Sequence, residues 1–311
     1  IAHALHLVIE QGLDANNGTA VAQSDIRSCF DALPVLKIAQ WLVEKGASPA
    51  DAAALVRCQM MPRVQLRISE GASAVIRDRS RGGLTGTRTA LVMARIPVEP
   101  TAALLYHRLS HHGIQVANGG ASLVATYVDN FYVVSKSQYG AICALEEIEE
   151  ELEETWGLVI KPSSRAVLVA TAGGSEPAVG TNKWPVLPSM VVLGHQLSAT
   201  GSTTQCLDTA RSSMLRSFYR NSGSLQALDI PTDKKVVLLS RATFPIFAYR
   251  GVRWPPSKSS TQTVDRFQRK LMTHCISTRP NLHEQPLDFV KRRNGVVTAH
   301  LPLRCRWSTL W

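Results

Sequence analysis

The chain has 311 residues, 45% of them hydrophobic and only 19% charged, with 34 Lys and Arg against 24 Asp and Glu for a formal net charge of +10. Enough apolar surface for a sizeable core excludes a disordered or fibrous chain, and no apolar run approaches the roughly 18–20 residues of a membrane span. Six cysteines without a CxxC pair are unlike a disulfide scaffold or a zinc ribbon and fit a reducing, intracellular compartment, nuclear or cytoplasmic. The opening Ile1-Ala2-His3 carries no Met, basic n-region or cleavage signature and reads as the start of a fragment of a longer product. Seven of the acidic residues fall in one run, Glu146 to Glu154, so the rest of the chain is strongly basic and a polyanionic partner is expected.

In chain order, Thr19 to Ile26 reads as a strand. Pro34 then opens an amphipathic helix with Val35, Leu36, Ile38, Ala39, Leu42 and Val43, closed by Gly46, and a second helix runs from Ser48-Pro49 to about Met60. Val64-Leu66-Ile68 and Ala72-Ala74-Ile76 alternate across Glu70-Gly71 as a hairpin should. After the turn Arg81-Gly82-Gly83, helical periodicity extends from about Thr85 to His112. Two short apolar strands, Leu123–Val128 and Phe131–Val134, meet at the acidic tip Asp129-Asn130. The Glu-rich segment carries Ile142, Leu145, Ile148 and Leu152 on one stripe, which predicts an exposed amphipathic helix, and Ala166–Val169 reads as another strand. The Gly- and Pro-rich stretch from Thr171 through Pro177 to Pro188 and the break Trp254-Pro255-Pro256-Ser257 divide the chain without being free linkers. The part from Cys206 to Ile276 is mainly helical. Strands preceding long helices, with a hairpin in the middle, predict an open sheet with helices on one face.

Asp25 at a strand end and Asp129 at a hairpin tip would project at one sheet edge if their strands are neighbours. Two hard divalent cations bridging such carboxylates are what phosphoryl transfer requires, and oxygen ligands suit Mg²⁺. His107, His111 and His112 have helical metal spacing without a third ligand, and His274, Cys275, His283, His300 and Cys305 lack tight knuckle spacing.

Ser24-Asp25-Ile26-Arg27-Ser28-Cys29-Phe30-Asp31, Arg81-Gly82-Gly83-Leu84-Thr85-Gly86, Tyr127-Val128-Asp129-Asn130, Trp156-Gly157-Leu158-Val159-Ile160-Lys161 and Val192-Leu193-Gly194-His195 resemble, in order, five successive palm motifs of reverse transcriptases, most of all those of non-LTR retrotransposons and group II intron-like elements. Phe244-Pro245-Ile246 and Asp265-Arg266-Phe267-Gln268-Arg269 resemble the thumb of LINE-type enzymes. The resemblance implies an α+β chain: a palm of antiparallel sheet backed by helices with partial fingers over 1–200, a helical thumb over 201–280, and an extension over 281–311. It implies RNA-directed DNA polymerisation on an RNA template and DNA primer from deoxynucleoside triphosphates, with two Mg²⁺ ions, for which Mn²⁺ could substitute.

By the same resemblance Asp25 and Asp129 are metal ligands, with Asn130 beside them where the family carries a second aspartate and with the Ile26 carbonyl alongside. Phe30 lies under the sugar of the incoming nucleotide and excludes a 2′-hydroxyl by bulk. Arg81, where the family has Gln, Gly82 and Gly83 face the template and nascent pair, and Lys161 or Arg165 serves the triphosphate, since Ser164 stands at the usual Lys position. Leu193 and Gly194 grip the primer, and Arg211, Arg216, Arg220, Lys234, Lys235, Arg266, Arg269 and Lys270 could track duplex phosphates. Two alternatives stay open: a catalytically degenerate nucleic-acid-binding module, towards which Asn130, Arg81 and Ser164 depart, and an RNA-dependent RNA polymerase, against which Phe30 argues.

Overall fold

The structure is a computed structural model, and it describes residues 1–15, 17–60, 64–67, 73–76, 81–84, 86–115, 121–171, 180–202, 204–227, 229–251, 258–276, 278–301 and 307. The Glu70-Gly71 turn, most of the stretch from Thr171 to Pro177, the break at Trp254–Ser257 and Cys305 lie outside the described residues. The chain divides into two compact units, Ile1–Met190 with Ser198–Gly201, and Val191–Leu197 with Ser202–Trp311.

The first unit runs α1 (Ala2–Asp14), β1 (Thr19–Asp25), α2 (Cys29–Ala32), α3 (Val35–Glu44), α4 (Pro49–Met60), β2 (Val64–Arg67), β3 (Ser73–Ile76), α5 (Arg88–Leu109), β4 (Ile114–Gln115), β5 (Ala121–Ser122), β6 (Val124–Tyr127), β7 (Asn130–Ser135), α6 (Gln138–Trp156) and β8 (Ala166–Ala170). Its main sheet has the order β6-β7-β1-β8, and every neighbouring pair is antiparallel. β2 and β3 form the expected hairpin. The α+β class therefore holds.

β1 is the central strand, and Ala20, Val21 and Ala22 in it are fully buried. Ala20 and Ala22 join a core with Leu145, Ile148 and Leu152 of α6 and with Met93 and Leu105 of α5. Val21 lies outside that cluster, and α1 contacts β1 and β8. Successive strand side chains point to opposite faces, so helices cover both faces along β1 rather than one. The apolar run Ala20-Val21-Ala22, without a polar residue to face water, accounts for the difference. α6 starts where Ser137 accepts a hydrogen bond from the Gly140 amide and stops at Gly157, whose φ of 63° is the left-handed conformation that favours glycine.

In the second unit, β9 (Ser189–Val192) begins just before the division and pairs with β10 (His195–Ser198). The helices α7 (Thr204–Arg220), α8 (Ser222–Gln226), α9 (Thr232–Gly251), α10 (Lys258–Cys275) and α11 (Pro286–His300) follow. Phe218, Leu239, Phe247, Leu271 and Met272 make their common core, which also takes in Val297, Leu301 and Trp307. Lys235, read from the sequence as able to track phosphates, is buried, and its Nζ donates to the Cys275 carbonyl at 3.0 Å. A buried ammonium needs such an acceptor, and the position is structural. Among the described residues no helix is long and apolar enough to cross a membrane.

Candidate active site

The register of the central sheet brings the two aspartates together. Asp25 ends β1 opposite Asn130, the first residue of β7, and the Ile26 amide donates to the Asp129 carbonyl at 3.0 Å. The peptide of Asp25 is held on its other side as well. Its amide donates to Ser164 Oγ at 2.9 Å, its carbonyl accepts from the Lys161 amide at 2.8 Å, and Ser164 Oγ in turn donates to the Lys161 carbonyl at 2.7 Å. The Arg27 amide continues this seam to the Val159 carbonyl at 2.9 Å.

Around the two carboxylates opens a cavity of about 480 Å³, lined among others by Ile26, Phe30, Asp31 and Lys161. That size is ordinary for a small-ligand site. Backbone strain flanks it: Val128, immediately before Asp129, has φ 57°, and Ser28 has φ 47°. A β-branched residue in the left-handed region is an outlier, costing roughly 1–2 kcal/mol, and strain of this kind gathers at functional sites.

Burial, then the neighbouring charge of Asp129 and a hydrogen bond with it, raise the Asp25 carboxyl above its ordinary range, against a weaker opposing pull from Lys161. Burial, followed by the charges of Asp129 and Asp25, pushes the Cys29 thiol up to about 12. Asp25 Oδ1 is buried with no hydrogen-bond partner. Asn130 does not offer Asp129 a second negative charge; its Nδ2 donates to Asp129 Oδ1 at 2.9 Å. Among the described residues no group of three or more His, Cys, Asp or Glu side chains is placed to hold a metal. Two carboxylates, one with an orphaned oxygen, nevertheless fit Mg²⁺, which binds through one or two carboxylates and completes its shell with water and substrate phosphates.

Gly82 and Gly83 are fastened beside Phe30, since the Gly83 amide donates to the Phe30 carbonyl at 2.7 Å and the Gly82 amide to the Leu33 carbonyl at 2.9 Å. A Cβ on Gly83 would stand 3.1 Å from the Ala90 Cβ, and Gly82 has φ 91°, so close approach and positive φ both call for glycine here.

The two arginines go elsewhere. Arg81 lines a separate cleft with Lys37, Glu153, Glu154 and Trp156. Arg165 makes paired bonds to Glu149, 2.8 Å from Nε and 2.6 Å from Nη2, and its guanidinium lies 5.7 Å from the Trp184 ring centre. Glu146 pairs with Lys183 at 2.7 Å and accepts from Trp184 Nε1 at 3.1 Å; these bonds hold its carboxyl below the usual carboxylate range. The acidic helix is therefore partly tied into the fold rather than simply solvated, and Arg165, considered for the nucleotide, is ion-paired with it. Lys161 is left as the cation at the cavity among the residues proposed for that role.

Leu193 and Gly194 form the turn between β9 and β10 with φ 49° and 79°, the paired positive φ values of a type I′ hairpin. Tyr249 of α9 donates its hydroxyl to the Leu193 carbonyl at 2.7 Å, and its ring centre lies 4.6 Å from that of His195. Sequence reasoning did not single out Tyr249, which has no local signal for a partner so distant in the chain, nor Ser164 as the support of the Asp25 backbone.

No family model matches the chain, and no curated protein matches it. Solved structures similar to it include the apo telomerase from Candida tropicalis truncated from its C-terminal domain, with 14% identity, a TM-score of 0.45, and coverage of 64% of this chain and 38% of that one. Another is the Candida tropicalis telomerase in complex with a TWJ fragment of telomeric RNA, with 10% identity, a TM-score of 0.47, and coverage of 94% and 52%. A third is the corresponding Candida albicans complex, with 10% identity, a TM-score of 0.47, and coverage of 96% and 54%. The chain thus spans about half the length of these structures or less, and with every TM-score below one half the likeness assigns neither family nor activity.

Proposed function

We propose that the chain is the palm and thumb portion of an RNA-directed DNA polymerase of a retroelement, of the non-LTR kind that its five ordered motifs resemble. The observation that carries this reading is the pairing of β1 with β7, which sets Asp25 and Asp129 side by side at one cavity and leaves Asp25 Oδ1 without a partner. Asp25 and Asp129 would hold two Mg²⁺ ions, for which Mn²⁺ could substitute. When bound, the ions supply activation of the primer 3′-hydroxyl and neutralisation of charge at the leaving pyrophosphate. Ser164 and the Lys161 amide keep the Asp25 backbone in place, so its carboxylate is oriented before substrate arrives. Lys161 faces the triphosphate, and Phe30 packs beneath the deoxyribose. An RNA template and a DNA primer complete the substrate, with Leu193 and Gly194 gripping the primer.

The hydrogen bond from Asn130 to Asp129 favours a second reading, a nucleic-acid-binding module that no longer polymerises, because the amide occupies an oxygen of the second carboxylate. Primer extension with dTTP on a poly(A) template and an oligo(dT) primer, in Mg²⁺ and in Mn²⁺, separates the two. Extension by the parent that disappears in Asp25→Ala supports the polymerase. Extension by Asn130→Asp alone means a competent fold that has lost a charge. No extension by either, with RNA still bound, favours the binding module.

A further inference from the structure

The helix α2 (Cys29–Ala32) is a single turn that brings Phe30 to the cavity of the two aspartates. A helix of one turn makes too few hydrogen bonds to hold itself, and this one starts from Ser28 at φ 47°. Its own backbone bonds are those of the Asp31 and Ala32 amides to the Ser28 carbonyl. The carbonyls towards its far end, of Phe30 and Leu33, accept instead from the Gly83 and Gly82 amides at 2.7 and 2.9 Å. The place of the Phe30 ring therefore depends on the segment that begins at Gly82.

That segment is fastened by one side chain from outside the five motifs. The next amide, of Leu84, donates to Gln59 Oε1 at 2.8 Å, so three successive amides are each bonded to a distant part of the chain. Gln59 is 2% exposed near the end of α4 and is the one buried carboxamide of the first unit among the described residues. The rest of α4 meets the core through Leu55, Val56 and Met60, a contact that an apolar residue at position 59 would extend at less cost, since burying a carboxamide is unfavourable unless it is hydrogen-bonded. Its oxygen also lies 3.5 Å from where a Cβ on Gly83 would stand. The Leu84 carbonyl accepts from the Thr87 hydroxyl at 2.8 Å, and Thr87 caps α5, so a single residue ties Gln59 to the start of that helix.

We propose that Gln59 is a positioning residue for the incoming nucleotide: by holding the segment from Gly82 to Leu84 it fixes α2, and through α2 the Phe30 ring that separates deoxyribose from ribose. The inference rests on the polymerase reading, and it adds to that reading a residue that does not itself line the cavity.

The test compares the parent with Gln59→Met, which keeps the length and bulk of the side chain but removes the acceptor, and with Gln59→Glu, which keeps an oxygen acceptor. Binding of dTTP and of UTP is titrated calorimetrically on the full chain with Mg²⁺, a poly(A) template and an oligo(dT) primer ending in a dideoxynucleotide, so that no bond can form. The parent should prefer dTTP. In Gln59→Met the preference should fall on the order of 5- to 10-fold, the weight of one hydrogen bond, and Gln59→Glu should recover most of it. With an extendable primer the loss in Gln59→Met should appear as a higher KM for dTTP with kcat nearly unchanged. A role confined to stability would lower the active fraction for both nucleotides alike; a dTTP preference in Gln59→Met equal to the parent's would overturn the proposal and leave the polymerase reading standing. Should Gln59→Met fail to fold, Gln59→Asn, which draws the acceptor back by one methylene, should show the same loss, and an unchanged preference there would overturn the proposal equally. A parent that binds neither nucleotide and extends no primer would defeat the polymerase reading itself, and this inference with it.

Discussion

Replacing Asn130 by aspartate tests the centre of the proposed site, because the exchange alters charge with little change of shape. In the present structure Asn130 Nδ2 donates to Asp129 Oδ1 at 2.9 Å, and a hydrogen bond to a charged group contributes about 1.5–3 kcal/mol. Asn130→Asp removes that donor and sets a third carboxylate beside Asp129 and Asp25. Unit charges 4 Å apart at an effective dielectric of 20 repel by about 4 kcal/mol, and proton uptake relieves part of this. Without divalent cations the variant should therefore lose about 2–4 kcal/mol at neutral pH, on the order of 5–15 °C in Tm for a unit of this size. The pH dependence has a definite sign. Burial and Asp129 already raise the Asp25 carboxyl above its unfolded value, so its protonated form is favoured in the folded state. The contribution of Asp25 to stability is then greatest below the ordinary aspartate range and falls as pH rises through the raised value. A further carboxylate enlarges the effect, and the gap between variant and parent should close in mild acid and widen towards neutrality. Millimolar Mg²⁺ should restore the variant more than it stabilises the parent, since an added carboxylate strengthens an oxygen-ligand cation site. Calorimetric melting in EDTA and in Mg²⁺ over a pH series reads all of this. A variant that melts with the parent in EDTA at neutral pH, or that gains no more from Mg²⁺, would refute the placement of these three side chains around one cation site.

Ser164→Ala deprives the Asp25 amide of its acceptor and the Lys161 carbonyl of a donor; a loss of about 1–3 kcal/mol is expected in denaturant unfolding, with Ser164→Thr recovering most of it, and a cost below about 0.5 kcal/mol would show that the seam is held by its backbone bonds alone. Arg165→Ala should cost about 3 kcal/mol, because it leaves Glu149, whose side chain is 12% exposed, without its counter-charge, and the added removal of that charge in Glu149→Gln should recover part of the loss; additive penalties would argue against the pair. Cys58 is exposed and should alkylate readily at mildly basic pH, whereas Cys29, pushed up to about 12, and Cys275, pushed up to about 11, both by burial, should stay unmodified until the chain unfolds, as peptide mapping by mass spectrometry would record.

Much of the first unit is legible in the amino-acid order because its signals are local. The helix from Val35 follows its apolar spacing and the hairpin around Asp129 its two apolar runs, and both form where expected. The strand from Thr19 also forms where expected, yet its burial on both faces could be read only by noticing that four consecutive residues lack a charged or amide side chain, a pattern that a buried helix segment shares. The acidic helix shows the limit more plainly. Its apolar stripe fixes the buried face, but the partners of Glu146 and Glu149 are Lys183 and Arg165, which approach only through the path the chain takes into β8 and beyond it. Charge density along a helix does not tell solvated carboxylates from paired ones, so the ion pair of Arg165 with Glu149 is legible only in the structure.

The same distinction governs the site. An aspartate at a strand end is most often a turn or cap residue, and Asp25 alone carries no chemistry. What the sequence could state was conditional: if the strands bearing Asp25 and Asp129 are neighbours, the carboxylates meet. The register supplies the condition, placing Asp25 across from Asn130, and a slip by one residue would have turned every side chain of β1 to the other face. That register is specified by Ala20 and Ala22 entering one core while Val21 is buried away from it, so the packing that stabilises the sheet is also what juxtaposes two charges that repel. The opposed carboxylates and the strained Val128 are then costs that the core offsets, and their survival beside an orphaned oxygen argues for a ligand that relieves them.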